Sequence, residues 1–219
     1  KERKKILAEL KETAIYRDVI ERYRVRNVKV LKLLINAIAG SREFSVHKFY
    51  NYLKSLGIKV SKNSLYNYIQ YLEDAFFINV VRKFSYSYKE IEQSIPKIYL
   101  IDNGLLKISG VEDRGKLMEN LISAELLRRG EEIFYYRDST TEVDFVLKKG
   151  KKARVLIQAC YDISNFDTEE REVGALLKAS KKLGCRNLLI ITWDQEKEIA
   201  RGGKKIRVIP LWKWLLGLT

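Results

Sequence analysis

A chain of 219 residues with 46% apolar content is long enough for one large domain or two modest ones around packed cores. It has no run of about 18 apolar residues and starts on a charged helical stretch, which excludes a predicted membrane span or signal peptide and points to the cytoplasm. The net charge of +14 is uneven along the sequence: residues 1–100 hold 20 Lys and Arg against 10 Asp and Glu, and residues 101–219 hold 22 against 18.

Such a field attracts polyanions by releasing counterions from phosphates, so nucleic acid is the expected partner of the first half. A basic, solvated surface of a thermophilic protein is the alternative, and the high charged fraction with few Gln, Met and Cys leans that way. Cys160 and Cys185 lack metal-ligand spacing and are expected to be reduced and buried. The one methionine is Met118, so position 1 is not expected to be a native start.

In chain order, Lys1 to Tyr23 is predicted helical, with Ile6, Leu7, Leu10, Ala14, Ile15 and Val19 recurring near the 3.6 period. Asn27 is placed to cap a second helix through Leu31, Leu34, Ile35 and Ile38, ended by Gly40. Ser45 to Leu56 and Ser61 to Asp74 predict two more helices joined by a turn at Gly57. Two strand-like stretches, Phe76 to Phe84 and Lys97 to Ile101, complete the pattern of a winged helix-turn-helix, with Ser85 to Pro96 as its wing.

In the second of these helices Leu65, Ile69, Leu72 and the following Phe76 are expected to face inwards. Lys62, Asn63, Tyr66, Asn67 and Gln70 then face outwards. Asn and Gln pair with adenine edges, Lys with guanine or phosphate, and Tyr stacks, so this is a candidate DNA-reading face. The same architecture also docks on protein, and that alternative stays open. His47, the lone histidine, has no ligand or nucleophile partner in sequence and is expected to be structural. Asp102 is expected to cap the short segment Leu105 to Ile108.

The division is placed here, giving a helical and winged helix-turn-helix domain over 1–102 and a second domain over 103–219. The second domain opens with a helix from Arg114 to Arg129 whose core stripe is Leu117, Leu121 and Ala124, with Glu119 at the edge. Strands are predicted at Ile133 to Arg137, Glu142 to Leu147 and Val155 to Cys160. An amphipathic helix from Asp167 to Leu183 follows, then a buried strand from Asn187 to Trp193. Ile206 to Ile209 is a last strand, and Pro210 starts a terminal helix. Strand alternation puts Glu142 and Asp144 on one face of their strand and Leu156, Gln158 and Cys160 on one face of the next. A carboxylate inside so apolar a sheet costs several kcal/mol unless a partner or a metal compensates it.

This layout resembles the restriction-endonuclease-like PD-(D/E)XK core: helix, three strands, helix, strand, with acids at Glu119 and Asp144. Over nearly its whole length the chain looks like the C-terminal part of archaeal and bacterial AAA-type ATPases that join a winged helix to such a core. Ile15 to Arg22, Val60 to Tyr68, Ile98 to Gly104, Met118 to Asn120 and Glu142 to Val146 carry the resemblance. It implies an α+β protein, a helical and winged helix-turn-helix module followed by a restriction-endonuclease-like α/β core.

It further implies DNA as partner, with self-association or contact with its own ATPase module. A Walker phosphate loop is absent, so ATP is expected only through the N-terminal module that this sequence lacks. The implied catalytic and metal set for Mg²⁺ is Glu119, Asp144 and Gln158. Gln158 stands where the family has an acid, and Cys160 where it has the lysine. A glutamine carbonyl still ligates Mg²⁺ but brings one negative charge less, and a thiol is a poor substitute for ammonium. An active nuclease, a degenerate core that binds nucleic acid, and an interaction or oligomerisation module all remain open. Glu142 is placed either to restore a carboxylate or at the surface, and Arg137 either on phosphate or in an ion pair.

Overall fold

The computed structural model describes residues 2–218 and divides them into two compact units. The first runs to Val80 and resumes over Ile95–Asp113. The second takes Val81–Ser94 and everything from Arg114. Both mix helices and strands, and among the described residues no helix is long and apolar enough to cross a membrane. The helices are α1 (Glu2–Ala14), α2 (Val28–Gly40), α3 (Val46–Ser55), α4 (Lys62–Asp74), α5 (Tyr88–Gln93), α6 (Asn103–Ile108), α7 (Arg114–Arg128), α8 (Phe166–Leu183) and α9 (Leu211–Leu215). The strands are β1 (Ile78–Lys83), β2 (Lys97–Leu100), β3 (Ile133–Arg137), β4 (Glu142–Lys149), β5 (Lys152–Ala159), β6 (Leu188–Thr192), β7 (Lys197–Arg201) and β8 (Lys204–Pro210).

In the first unit the helix starts follow side-chain capping. Asn27 Oδ1 accepts from the Val30 N–H at 3.1 Å, Ser45 Oγ from Lys48 at 3.3 Å and Ser61 Oγ from Ser64 at 3.0 Å. Each satisfies one of the backbone donors that a helix leaves orphaned at its N-terminus. Asp102 caps α6 in the same way, through the Gly104 N–H. The α2 stripe of Leu31, Leu34, Ile35 and Ile38 is buried, and α3 and α4 pack together and bury Phe49, Leu53, Leu65 and Leu72.

Three details of this unit differ from the sequence expectation. The first helix does not stay α-helical to Tyr23: Ile15–Glu21 is a π-helix that buries Ile15 and Val19, while Ile6 and Leu10 are exposed. On α4, Tyr68 rather than Ile69 joins Leu65 and Leu72 inside, and Phe76 is 75% exposed. The cause is the turn that closes α4. Phe76 adopts a left-handed φ of 51°, its N–H donates to Glu73 O, and the Phe77 N–H reaches back to Leu72 O at 2.8 Å. This reversal turns Phe76 out and seats Phe77 in the interior. The stretch expected as a wing holds the helix α5, capped by Ser87, and Val81–Ser94 clusters with the second unit.

The second unit is built on a sheet in the order β1-β3-β4-β5-β6-β8-β7, to which β1 contributes its last residues. β1 runs parallel to β3, and β3, β4 and β5 form an antiparallel meander. β6 lies parallel to β5, β8 parallel to β6, and β7 closes the edge antiparallel to β8. β7 is not among the expected strands: of its Lys-Glu-Ile-Ala-Arg only Ile199 packs on the core and the rest is exposed, so its apolar signature is a single residue. Asn165 caps α8 and Gly184 ends it at a left-handed φ of 66°. Val173, Leu176 and Ala179 of α8 pack with Val143, Val146, Leu156, Cys160, Leu188, Ile190, Ile206 and Val208. Both cysteines are free and buried.

On α7 the buried stripe is Met118, Ile122 and Leu126, while the expected Leu117, Leu121 and Ala124 are half-buried. Glu119 and Glu125 are consequently on the inward side, with Glu125 8% exposed. Glu125 accepts from Arg128 at 2.6 and 2.7 Å and from Arg129 Nε at 2.6 Å. Arg129 also donates to Trp214 O at 2.7 Å and lies 4.3 Å over the Trp214 ring, tying α9 to α7. The Arg128 hydrogen bonds hold the Glu125 carboxyl down at about 2, against a burial that pushes it up.

A carboxyl depressed on folding contributes stability above its unfolded value, and that contribution is lost as pH falls. Glu125→Gln is therefore expected to cost about 2 kcal/mol at pH 7. The gap to wild type should close between about pH 4.5 and pH 2, read by urea unfolding across that range.

Candidate functional site

The register between β4 and β5 pairs Phe145 with Ile157 and Val146 with Leu156. Val146 and Leu156 pack on α8, so alternation carries Asp144 and Gln158 to the α8 side as well. The paired register ends at Phe145 and Ile157, and beyond it side chains stitch the two strands together. Gln158 Oε1 accepts from the Asp144 N–H at 2.8 Å, and the Asp144 Oδ2 accepts from the Ala159 N–H at 3.0 Å. The Gln158 amide nitrogen donates to Glu142 O at 3.3 Å and to Glu172 Oε2 at 2.7 Å. Arg171 holds the other Glu172 oxygen, with Nη2 at 2.7 Å and Nε at 3.1 Å.

Glu172 is 8% exposed. Burial raises its pKa and the nearby Asp144 charge adds to this, while the hydrogen bonds of Arg171 and Gln158 oppose it. Burial also pushes the Cys160 thiol up to about 11, so it is neutral at physiological pH and donates to Asp162 O at 3.3 Å. Glu142 turns to Arg137, its neighbour across the β3–β4 pair, whose Nε lies 3.1 Å away. The two form an ion pair at the strand end. Lys148 is bonded to Glu132 at 2.7 Å on the flank of the β4–β5 hairpin.

Of the residues expected from sequence, the structure brings Asp144 and Gln158 into direct contact. Glu119 is buried on α7, which packs against β5. Glu172 and Arg171 are members that the sequence reading missed. A signal was present: Glu172 lies four residues before Leu176 and seven before Ala179, on the apolar stripe of its helix.

The hydrogen bonds of this constellation compete with Mg²⁺ for its oxygens. The ion requires several oxygens free to point at one centre. Here the Gln158 carbonyl and one Asp144 oxygen already accept backbone N–H groups, and the two Glu172 oxygens take an amide and a guanidinium. Among the described residues no group of three His, Cys, Asp or Glu is assembled to hold a metal.

The outward face expected on α4 is present in the first unit. Asn63, Tyr66, Asn67 and Gln70 are exposed, and Tyr66 is 57% exposed. Lys62 is half-buried: it donates to His47 Nδ1 at 2.9 Å and lies 5.2 Å over the Tyr50 ring. His47 therefore has a structural partner. Gln70 donates to Asp74 at 2.8 Å.

Residues 1–114 match the family described as "Domain of unknown function (DUF8612)", and the chain belongs to that family. Residues 114–214 match "Domain of unknown function (DUF4143)", so the two matches meet where the structure passes from Asp113 to Arg114. An uncharacterized protein of Methanocaldococcus jannaschii is 39% identical over 227 residues, covering 98% of this chain and 50% of that protein. An uncharacterized protein of Haemophilus influenzae is 24% identical over 217 residues, covering 96% and 52%. The chain thus spans about half the length of the curated relatives it matches. No solved structure matches.

If the Gln158 amide is a structural bridge, Gln158→Leu leaves the Asp144 N–H and a Glu172 oxygen without it, at an expected cost of about 1–3 kcal/mol. Denaturant unfolding followed by circular dichroism reads the change.

Proposed function

We propose that this chain is the nucleic-acid-binding part of a longer AAA-type ATPase, and that its second unit is a degenerate restriction-endonuclease-like core serving as a scaffold. The observation that carries the binding half is the exposed α4 face of Asn63, Tyr66, Asn67 and Gln70 within a chain of net charge +14. Counted by structural unit, the excess is shared. The first unit has 18 Lys and Arg against 11 Asp and Glu, and the second 24 against 17, a net of +7 each. Both units therefore favour a phosphate backbone.

The scaffold half of the reading is supported by the amide at position 158, which ties β4, β5 and α8 together where a nuclease needs open carboxylates. The ATPase association rests on the resemblance of the sequence stretches and on relatives about twice as long.

A second reading, a protein-interaction or oligomerisation module, is favoured by the apolar side of α1, where Ile6 is 49% and Leu10 60% exposed. Titration of duplex and branched DNA across a salt series separates the two. The proposal expects affinity to fall steeply with salt. Lys62→Ala is expected to reduce the log–log slope by about 1, and Asn67→Ala to weaken binding by about 1–3 kcal/mol. No binding, or a flat response to salt, would favour the interaction module. With Mg²⁺ or Mn²⁺ present, labelled DNA should stay intact. Cleavage that Asp144→Asn abolishes would overturn the scaffold.

A further inference from the structure

Tyr161 follows β5 and Trp193 follows β6. Since these strands are parallel neighbours, both rings emerge at the same end of the sheet, beside Asp144 and Gln158. They stack with centroids 5.5 Å apart and planes 21° from parallel. The pair is held from behind. The Trp193 N–H donates to Tyr161 O at 3.1 Å, and Cys160 N to Ile191 O at 2.9 Å. Gln195 clasps the two loops, accepting from the Ile163 N–H at 2.9 Å and donating to Asp162 at 2.7 Å, while its own N–H reaches Thr192 Oγ1 at 3.0 Å. Arg114 also lies against Tyr161, with its guanidinium carbon 5.8 Å from the ring centre and Nη1 donating to the hydroxyl at 3.3 Å.

Core packing does not require this arrangement, because Trp193 remains 51% exposed. A large ring fixed rigidly in solvent, stacked on a second ring that carries a cation, has the chemistry of a nucleobase platform. A free aromatic face takes any base, and Arg supplies a phosphate contact or a further stacking plane. The unit that carries it is itself basic, at +7.

We infer that Trp193, Tyr161 and Arg114 form a stacking platform for an unpaired base of single-stranded nucleic acid. This rests on the nucleic-acid reading above and adds a second contact, on the second unit, specific for bases out of the helix. A duplex hides base faces inside its stack, so the platform selects single strands or frayed ends.

Fluorescence anisotropy with three probes of equal length tests it: an oligo(dT) strand, an abasic strand and a duplex. The wild type should hold oligo(dT) more tightly than the abasic strand. Trp193→Leu, which keeps apolar bulk but removes the ring, should weaken oligo(dT) binding by about 5- to 150-fold. Abasic and duplex binding should stay within about twofold of wild type. Trp193→Phe should fall between, and Arg114→Ala should weaken both single strands. Trp212→Leu, at an exposed tryptophan on α9 (52% exposed), should change nothing.

Circular dichroism and the melting temperature verify that the variants fold, and Trp193→Phe carries the test if the leucine variant does not. The inference fails if wild type does not distinguish oligo(dT) from the abasic strand, or if the Trp193 variants bind like wild type. If salt-dependent duplex binding persists in that case, only the platform is lost. If the wild type binds none of the probes, the nucleic-acid reading falls with it. A shift in oligomeric state on Trp193→Leu with unchanged oligo(dT) affinity would instead assign the ring to self-association.

Discussion

The second unit depends on one neutral amide placed where charge is costly. Gln158 accepts from the β4 backbone and donates both to that backbone and to the buried Glu172 of α8, so three elements meet at one side chain. Glu172 is tolerable there because Arg171 and the amide together take both of its oxygens. A carboxylate at 158 would add a charge beside Asp144 and Glu172. An apolar residue would strand a donor and an acceptor. Glutamine satisfies both partners without charge.

That choice has consequences for chemistry. Hydrolysis through a hard cation needs carboxylate lone pairs, and here one Asp144 oxygen and both Glu172 oxygens accept hydrogen bonds from the fold. The buried Cys160 thiol stays protonated and joins the core. Acid, amide and thiol are all engaged in hydrogen bonds within the fold. Two exposed surfaces lie outside this cluster: the polar face of α4, and the aromatic pair at the end of β5 and β6. The acids of the second unit are largely committed to neighbouring cations, as in Glu125 with Arg128 and Arg129 or Asp138 with Lys182.

Much of the fold was legible because its determinants are local. Asn27, Ser45, Ser61 and Asp102 start helices through bonds spanning two or three residues, and the α2 stripe and the β3, β4, β5 and β6 strands carry their periods in plain sequence. Where local signals are weak or compete, the sequence does not resolve the fold. The edge strand β7 turns one apolar residue, Ile199, to the core, too little to announce it. The α7 stripe was set one position off because several of its residues are apolar on adjoining rows, and only contact with the sheet selects Met118, Ile122 and Leu126. Phe76 was placed inside by its helical spacing, but the left-handed turn at that residue ended the helix before the spacing applied.

By itself the sequence determined the alternation that puts Asp144 and Gln158 on one face, the helical ends, the buried reduced cysteines and the overall basic charge. Each follows from residue type and a repeat of two or of 3.6 positions. Only the tertiary structure decided what those residues meet. Gln158 lies 14 residues from Asp144 and 14 from Glu172, and the bonds among them exist because β4, β5 and α8 pack together. The division of charge between the units, and the stacking of Tyr161 on Trp193, belong to the same class. They arise from which distant segments the core draws side by side, and no periodicity within either segment encodes that choice.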